Sequence, residues 1–322
     1  EEAEEFTLNN SVTGIVRATG DYASTIYMRA GEKTIVNEGL IEYVGSKGFA
    51  IGAVSDPGSV RTLELENAET GIIKGDILVT NGNALRWYLL STEGGPAGLN
   101  SRLNINSQYG QSDSEIENEG QIIGNLYFSN GTHVLTNEET GVITGNIDLD
   151  QRNTYGASGN GTLIGTKDFT FENAGSYAGN ITIRTAATSN ATLVPTITGS
   201  GAGSSLASPS TNIAGMGNVL TIDATAGAGT VTVAPKTLVT VKAGEYFKVA
   251  DTLTLAGGAV APVVNSINSP LINWTITTNA SNNLVVGVDS LNSATTIAGV
   301  SASSAAAIDA LMNSDASTVG GA

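Results

Sequence analysis

The chain has little of the chemistry that enzymes and disulfide-stabilised proteins depend on. Its 322 residues include no cysteine and one histidine, and 5% of them are aromatic. An exported chain without cysteine must be stabilised by strand pairing and side-chain stacking rather than by disulfides. The low aromatic content suits thin stacks of aliphatic side chains better than one thick globular core.

Positive charge and long apolar runs are also scarce. The chain has 14 Lys and Arg against 30 Asp and Glu, which gives a net charge of −16. This balance excludes nucleic acid as a partner, because its backbone requires a basic surface. No apolar run reaches the roughly 18 residues of a membrane-spanning helix. The chain shows no signal peptide and does not start with Met, so we expect a mature or excised fragment.

Glycine and asparagine are abundant, and they recur in one phrase. Gly-x-x-x-Gly, with an apolar central residue, occurs at Gly71–Gly75, Gly120–Gly124, Gly141–Gly145, Gly161–Gly165 and Gly175–Gly179. Three successive copies are about twenty residues apart, which is typical of a solenoid. The corner residues predicted to shape this repeat are Asn67, Gly71, Gly75, Asn118, Gly120, Gly124, Asn137, Gly141, Gly145, Asn173, Gly175 and Gly179.

The segments between these corners have the pattern of short strands. Asp76–Thr80, Asn125–Ser129 and Asn180–Arg184 are rich in β-branched or aromatic residues and alternate with period two. A chain that turns the same corner every twenty residues stacks its strands in parallel, about 4.8 Å apart. Asparagines at equivalent corners can then stack into amide ladders. An antiparallel β-sandwich is the rival interpretation, but the recurring phrase favours the solenoid.

We therefore predict an all-β fold, a right-handed parallel β-helix with a C-terminal β cap and a short terminal α-helix. The predicted divisions are repeats over 1–215, the cap over 216–290 and a terminal segment over 291–322. Trp274 is expected in the core of the cap. The terminal segment contains helix formers and places Ile297, Val300, Ser304, Ile308 and Leu311 on one stripe at helical spacing.

The C-terminal third carries a resemblance to a known family. The segments are Gly244–Asp251, Asn268–Ile276 (containing Ser-Pro-Leu), Leu284–Val288 and the helical Ala305–Leu311. Together they resemble the autochaperone region and linker helix of a Gram-negative autotransporter passenger, which belongs to type V secretion. The resemblance implies display at the bacterial cell surface or outer membrane, or release from it. It also implies a C-terminal outer-membrane barrel as a partner, which this sequence does not include.

The sequence gives little support for catalysis or metal binding. His133 lies in Asn130–Leu135 with no nucleophile elbow nearby, so we expect an exposed turn residue. Asp148 and Asp150 share one face of a strand and are the candidate pair for a glycan-active enzyme. The acidic corners of the repeat do not follow the EF-hand spacing; they contain Glu117, Glu119, Glu138 and Glu139. We predict no enzyme activity, no cofactor and no metal site.

The predicted function is adhesion. Arg86, Trp87 and Tyr88 lie in an irregular insertion between Gly82 and Gly110, where an aromatic pair beside a cation can anchor a partner or stack on a sugar. We expect a non-enzymatic adhesin that attaches to a host-cell surface protein or glycan, or self-associates. Two alternatives stay open: a stalk that displays a distal domain, and a glycan-active β-helix enzyme.

Overall fold

The protein forms a parallel β-helix, as the sequence predicts. The computed structural model describes residues 5–21, 23–28, 31–45, 48–55, 60–81, 111–129, 131–150, 167–294 and 301–313. Three parallel sheets run along the molecule, and we name them A, B and C. From residue 5 to residue 197, successive strands of the chain enter sheets A, B and C in turn, so that each coil there contributes one strand to each sheet.

The strands and the helix have the following bounds. In chain order they are β1 (Glu5–Asn10), β2 (Ile15–Thr19), β3 (Ser24–Met28), β4 (Glu32–Asn37), β5 (Leu40–Val44), β6 (Phe49–Ser55), β7 (Val60–Asn67), β8 (Ile72–Lys74), β9 (Ile77–Asn81), β10 (Gln111–Asn118), β11 (Gln121–Ile123), β12 (Leu126–Phe128), β13 (His133–Asn137), β14 (Val142–Thr144), β15 (Ile147–Asp150), β16 (Lys167–Asn173), β17 (Ser176–Ala178), β18 (Ile181–Ala186), β19 (Ser189–Ile197), β20 (Ile213–Ala214), β21 (Val219–Ala226), β22 (Thr230–Val233), β23 (Lys236–Thr237), β24 (Tyr246–Ala250), β25 (Thr252–Ala256), β26 (Val263–Val264), β27 (Ile272–Thr278), β28 (Leu284–Leu291) and α1 (Ala302–Asn313).

The register of the sheets places equivalent residues of successive coils side by side. In sheet A, Asn37 of β4 pairs with Asn67 of β7, and Asn67 pairs with Asn118 of β10. The chain between Asn67 and Asn118 is much longer than the other repeats, yet the register is kept. A change of one residue would turn every inward side chain outward. The buried face and the corner asparagines therefore fix the register, whatever the length of the segment between coils.

The core consists mainly of aliphatic side chains, with a few aromatic ones, stacked in files along the helix. Inward residues of each sheet lie above one another at the strand spacing, because the strands are parallel and in register. One file of sheet A is Ile35, Leu65, Ile116, Leu135, Phe171 and Leu193; one of sheet B is Ile41, Ile73, Ile122 and Ile143; one of sheet C is Ile51, Ile77, Leu126, Ile147, Ile181 and Leu220. Each file is almost fully buried, which is the main stabilising term for such a fold.

Sheet B is shorter than the other two sheets. It ends at β17, whereas sheets A and C continue with parallel strands as far as β26 and β25. At the point of change, Pro195 of β19 occupies the register position opposite Asn173, where every earlier coil has asparagine. Proline has neither a backbone N–H nor a side-chain amide to form the corner. The chain instead forms β20, which pairs antiparallel with β19.

The C-terminal region adds a different sheet. Strands β24, β28 and β27 form an antiparallel sheet, in which Trp274 of β27 is buried, as predicted. The parallel ladders of sheets A and C cross residue 215, so the division proposed there from the sequence stays a prediction. Helix α1 lies within the predicted helical segment. The carboxylate of its Asp309 accepts hydrogen bonds from the Ala294 N–H (2.7 Å) and from the Ser293 hydroxyl.

Candidate functional site

The most regular polar feature is a row of stacked amides, which we call the asparagine ladder. Its members sit at the corner between sheets A and B and are Asn10, Asn37, Asn67, Asn118, Asn137 and Asn173. Each Nδ2 donates to the Oδ1 of the next member at 2.7–2.8 Å. Asn37 to Asn173 have no exposed surface. These side chains satisfy one another within the core rather than face a ligand.

The glycine beside each ladder asparagine is required by space. At Gly141, a Cβ would lie 2.3 Å from the Asn118 carbonyl oxygen and 2.4 Å from Asn137 Oδ1. Such distances are far inside van der Waals contact, so any larger residue must displace the neighbouring backbone. The Asn137 amide also donates to the Gly141 carbonyl at 3.3 Å. The Asn and Gly of the repeated phrase therefore form one structural unit.

A second polar row follows the corner between sheets B and C. The backbone N–H of Asn125 donates to Asp76 Oδ1 (2.8 Å), that of Asn146 to Asn125 Oδ1 (2.9 Å), and that of Asn180 to Asn146 Oδ1 (3.0 Å). Each link joins a side chain to the backbone of the next coil. This row holds successive coils in position, but its members are more exposed than those of the asparagine ladder.

Acidic side chains cover part of the outer surface of sheet A. We define the acidic face as Glu64 and Glu66 of β7 with Glu115 and Glu117 of β10, all of which are exposed. The register pairs Glu64 with Glu115 and Glu66 with Glu117. Like charges on directly adjacent strands repel each other. Glutamate thus occupies four adjacent outward positions despite an unfavourable electrostatic term.

The charge of Glu117 shows this repulsion most clearly. Partial burial, followed by the carboxylates of Glu138, Glu119, Glu66 and Glu115, raises the pKa of Glu117 above its ordinary value. All of these causes disfavour the ionised form. The acidic face is therefore a place where a positively charged partner group gains more than it would beside an isolated carboxylate.

The prediction that His133 is an exposed turn residue is wrong. His133 is the first residue of β13 and points into the core, where it is fully buried. Its Nε2 donates to the carbonyl oxygen of Ser129, so Nδ1 is the acceptor for the Ser114 hydroxyl at 3.0 Å. Its ring also packs 5.1 Å from that of Phe128. Ser129 and Phe128 precede the turn, but Ser114 belongs to the preceding coil.

Burial determines the ionisation of His133. Desolvation lowers the pKa of the imidazole to about 4, although the Ser129 carbonyl and the charge of Asp113 partly oppose the shift. The Ser114–His133 contact has the distance of a nucleophile–base pair. Both side chains lie inside the core, however, where no substrate reaches them. The pair therefore satisfies buried polar atoms.

The sequence patterns also failed to indicate a second buried ionisable side chain, Lys33. Lys33 lies on the inward side of β4 and is 2% exposed, and its Nζ donates to the Gly31 carbonyl at 2.8 Å. Lysine is rarely buried unless its ammonium is satisfied. The alternating pattern of β4 places position 33 inward, so the periodicity of the sequence indicates that this residue is buried. Lysine at this position indicates the opposite, because lysine is usually exposed.

The candidate carboxylates for glycan chemistry have other partners. Asp148 forms an ion pair with Arg184 of the next coil, and Arg184 is in register with Asp150. A guanidinium at this position stabilises charged carboxylates. Among the described residues, no group of three or more His, Asp or Glu side chains is placed to hold a metal ion.

Two clefts lie near the C-terminal region. One, of about 300 Å³, is lined mainly by apolar residues that include Leu255, Pro262 and Ile276. The other, of about 220 Å³, lies where sheet B ends and is lined by Tyr177, Lys248 and other residues. The ammonium of Lys248 already contacts the Asp251 carboxylate at 2.6 Å. The first cleft has no acidic or basic side chain among its lining residues.

The predicted partner-binding residues Arg86, Trp87 and Tyr88 lie outside the described residues, as does the repeat copy at 161–165. In the described part of the chain, no helix has the length and apolar character needed to cross a membrane. No protein-family model, curated protein or solved structure matches the sequence or the fold of this chain.

Proposed function

We propose that this chain is the passenger region of an autotransporter, displayed at the bacterial surface, and that it acts as a non-enzymatic adhesin. The observation that carries the proposal is the contrast between interior and surface. The polar interior groups of His133 and the asparagine ladder are satisfied within the core. The exposed acidic face repeats the same chemistry on successive coils. A rigid surface with repeated groups suits many weak contacts, multiplied by many copies per cell.

The sequence resemblance supports the same proposal. The segments Gly244–Asp251 and Leu284–Val288 that resemble an autochaperone region contribute β24 and β28, and α1 includes Ala305–Leu311. In the proposed arrangement these elements lie between the coils and an outer-membrane barrel. The partners are then a host-cell protein or glycan, or a second copy of the passenger.

A display experiment tests the proposal. Residues 1–322 are fused to an outer-membrane barrel in a non-adherent bacterium, and attachment to host cells and clumping are scored against a barrel-only strain. We expect attachment or clumping above that control at equal surface levels, measured by antibody labelling. Absence of both, with display established, contradicts the adhesin proposal and favours the stalk alternative.

Paired charge variants locate the activity. One strain carries Glu66→Gln and Glu117→Gln on the acidic face, and the other carries Glu5→Gln and Asp289→Asn at exposed positions elsewhere. Both changes remove two negative charges. Adhesion through the acidic face predicts that only the first pair alters attachment. Equal effects of the two pairs assign the change to net charge.

The glycan-active alternative has one specific objection. Its two candidate acids would have to act as a general acid and a base or nucleophile. Asp148 is held by the guanidinium of Arg184, which favours a charged carboxylate over a proton donor. A polysaccharide panel with detection of released reducing ends separates this alternative from binding alone.

A further inference from the structure

The first coil leaves one end of the β-helix open. Strands β1, β2 and β3 are the terminal strands of sheets A, B and C at this end, and each pairs with one neighbour among the described strands. We call this surface the open end. Every strand there presents a row of backbone N–H and C=O groups toward the side on which a preceding coil would lie. Such edges are templates for strand addition.

Inward side chains at the open end are less buried than their equivalents one coil later. Leu8 and Val16 are half-buried, whereas their register partners Ile35 and Ile41 have no exposed surface. Phe6 is 36% exposed, while its partner Lys33 is 2% exposed. The apolar interior of the first coil is therefore partly exposed in sheets A and B, whereas Ile26 and Met28 of β3 in sheet C are buried.

The asparagine ladder also lacks one partner at this end. Asn10 is 6% exposed, and its Nδ2 donates to Asn37 Oδ1 at 2.8 Å. In Asn37, Asn67 and the later members, Oδ1 accepts from the amide of the coil before. No described residue donates to Asn10 Oδ1. Asn10 Oδ1 therefore lacks the amide donor that every later ladder member receives from the coil before it.

We propose that the open end is a docking site for one further coil of the same Asn-Gly type, parallel to the first coil. The same contacts that join successive coils reach this surface and end there together. They are the strand edges, the files of inward apolar side chains and the asparagine ladder. An occupant with an asparagine at the corner between its first two strands supplies the missing amide to Asn10. Apolar inward residues of that coil cover Leu8 and Val16. The proposal is independent of the adhesin function.

A second folded copy of this chain fits the open end less well. The other end of the ladder is closed, because Asn173 Nδ2 donates to the Gly215 carbonyl at 2.7 Å. A copy stacked head to tail therefore has no free ladder amide for Asn10. A copy stacked head to head presents its own Asn10 acceptor instead of a donor.

A fusion tests the proposal with the register already set. A copy of residues 111–132 is joined directly to Phe6, so that the copied Asn118 stands 19 residues before Asn10, the separation of Asn118 and Asn137. Backbone amide exchange in β1 is compared with that of the unfused chain by mass spectrometry. We expect amide exchange in β1 to slow by about tenfold or more, because β1 could then open only together with the added coil. We also expect the melting temperature to rise.

The control fusion carries Asn118→Ala in the copy alone. The ladder mechanism predicts weaker protection of β1 in this control. Equal protection by both fusions overturns the assignment of Asn10, and exchange in β1 as fast as in the unfused chain overturns the docking site. A copied coil that fails to fold leaves exchange in β1 as fast as in the unfused chain, and this outcome also counts against the docking site. Sedimentation of the unfused chain adds a further check, because a dimer that protects β1 would make a second copy the occupant.

Discussion

At the scale of single residues, the ladder asparagines illustrate how a buried polar group can specify a fold. An unpaired buried amide costs about 1–3 kcal/mol, whereas a paired one is nearly neutral or mildly stabilising. Each ladder amide is paired only when two coils are in the correct register. The penalty for misregister is thus much larger than the gain from the bond, and the ladder favours one stacking of the coils over its alternatives.

This reasoning predicts the effect of truncating one ladder residue. Asn67→Ala removes the acceptor for Asn37 Nδ2 and the donor to Asn118 Oδ1, and it leaves a cavity beside Gly71. We expect the free energy of unfolding to fall by about 3 kcal/mol, measured by urea denaturation.

Asn9→Ala is the matched control, because Asn9 is exposed and lies next to a ladder residue. Its substitution should change stability by less than about 0.5 kcal/mol. A loss of similar size in the two variants would show that the ladder bonds contribute little to stability.

The buried histidine predicts a dependence of stability on pH. The pKa of His133 is about 4 in the folded chain, below the ordinary value of 6.5. Between these values the unfolded state binds more protons than the folded state, so stability falls as pH decreases through this window. From pH 7 to pH 5, the loss from this group should be about 2 kcal/mol.

Comparison with His133→Gln isolates this contribution, because all other titrating groups are shared. Urea denaturation of both proteins at pH 7 and pH 5 gives the measurement. We expect the wild-type chain to lose about 2 kcal/mol more than the variant over this range. Equal losses would mean that the imidazole is protonated in the folded state and that its burial is relieved by local opening.

At the scale of elements, the two acidic strands β7 and β10 oppose each other electrostatically. The pKa of Glu117 is raised in the folded chain, so the folded state binds more protons just above the ordinary pKa of 4.5. Stability from this group therefore rises as pH falls through the raised value, and ionised Glu117 destabilises the fold at pH 7. Glu117→Gln should stabilise the chain at pH 7 by less than about 1 kcal/mol, because the side chain is exposed and screened.

The gain from Glu117→Gln should vanish near pH 3, where wild-type Glu117 is protonated. Glu5→Gln serves as the control, since Glu5 is exposed at the open end and outside the acidic face. Thermal melts of the three proteins at pH 7 and pH 3 provide the comparison. A gain from Glu117→Gln that persists at pH 3 would trace the effect to packing rather than charge.

The elements also show which features a sequence can predict. The Asn-Gly phrase predicts corners, and alternation predicts strands, because both depend on neighbouring residues in the chain. The burial of His133 depends instead on Ser114 in the preceding coil and on Phe169, its register partner in the next coil. Local sequence around His133 resembles a turn, so only the stacking of coils reveals its inward position. The end of sheet B at Pro195 likewise becomes meaningful only once its register with Asn173 is known.

At the scale of the whole molecule, the contacts that hold the coils together and the net charge act over different distances. Cohesion is local, because each coil contacts mainly its neighbours, and it depends on files of apolar side chains and corner ladders. Charge acts over longer distances: the chain has a net charge of −16. Two such molecules repel each other at low ionic strength, while at 0.1 M salt the screening length is about 10 Å.

Self-association, if it is the activity of this chain, should therefore strengthen with salt. We expect the associated fraction, measured by sedimentation velocity, to rise between 0.05 M and 0.5 M NaCl as screening weakens the repulsion. The variant with Glu66→Gln and Glu117→Gln should associate at lower salt than the wild-type chain if the acidic face lies at the contact.

The control pair, Glu5→Gln and Asp289→Asn, removes the same charge elsewhere. An equal shift in the salt concentration needed for association would assign the effect to net charge. Association that weakens with salt would instead require ion pairs between copies. Monomers at every salt concentration would exclude self-association in solution, because they would show that charge repulsion is not what keeps the molecules apart. Attachment to a separate partner would then be the remaining form of adhesion.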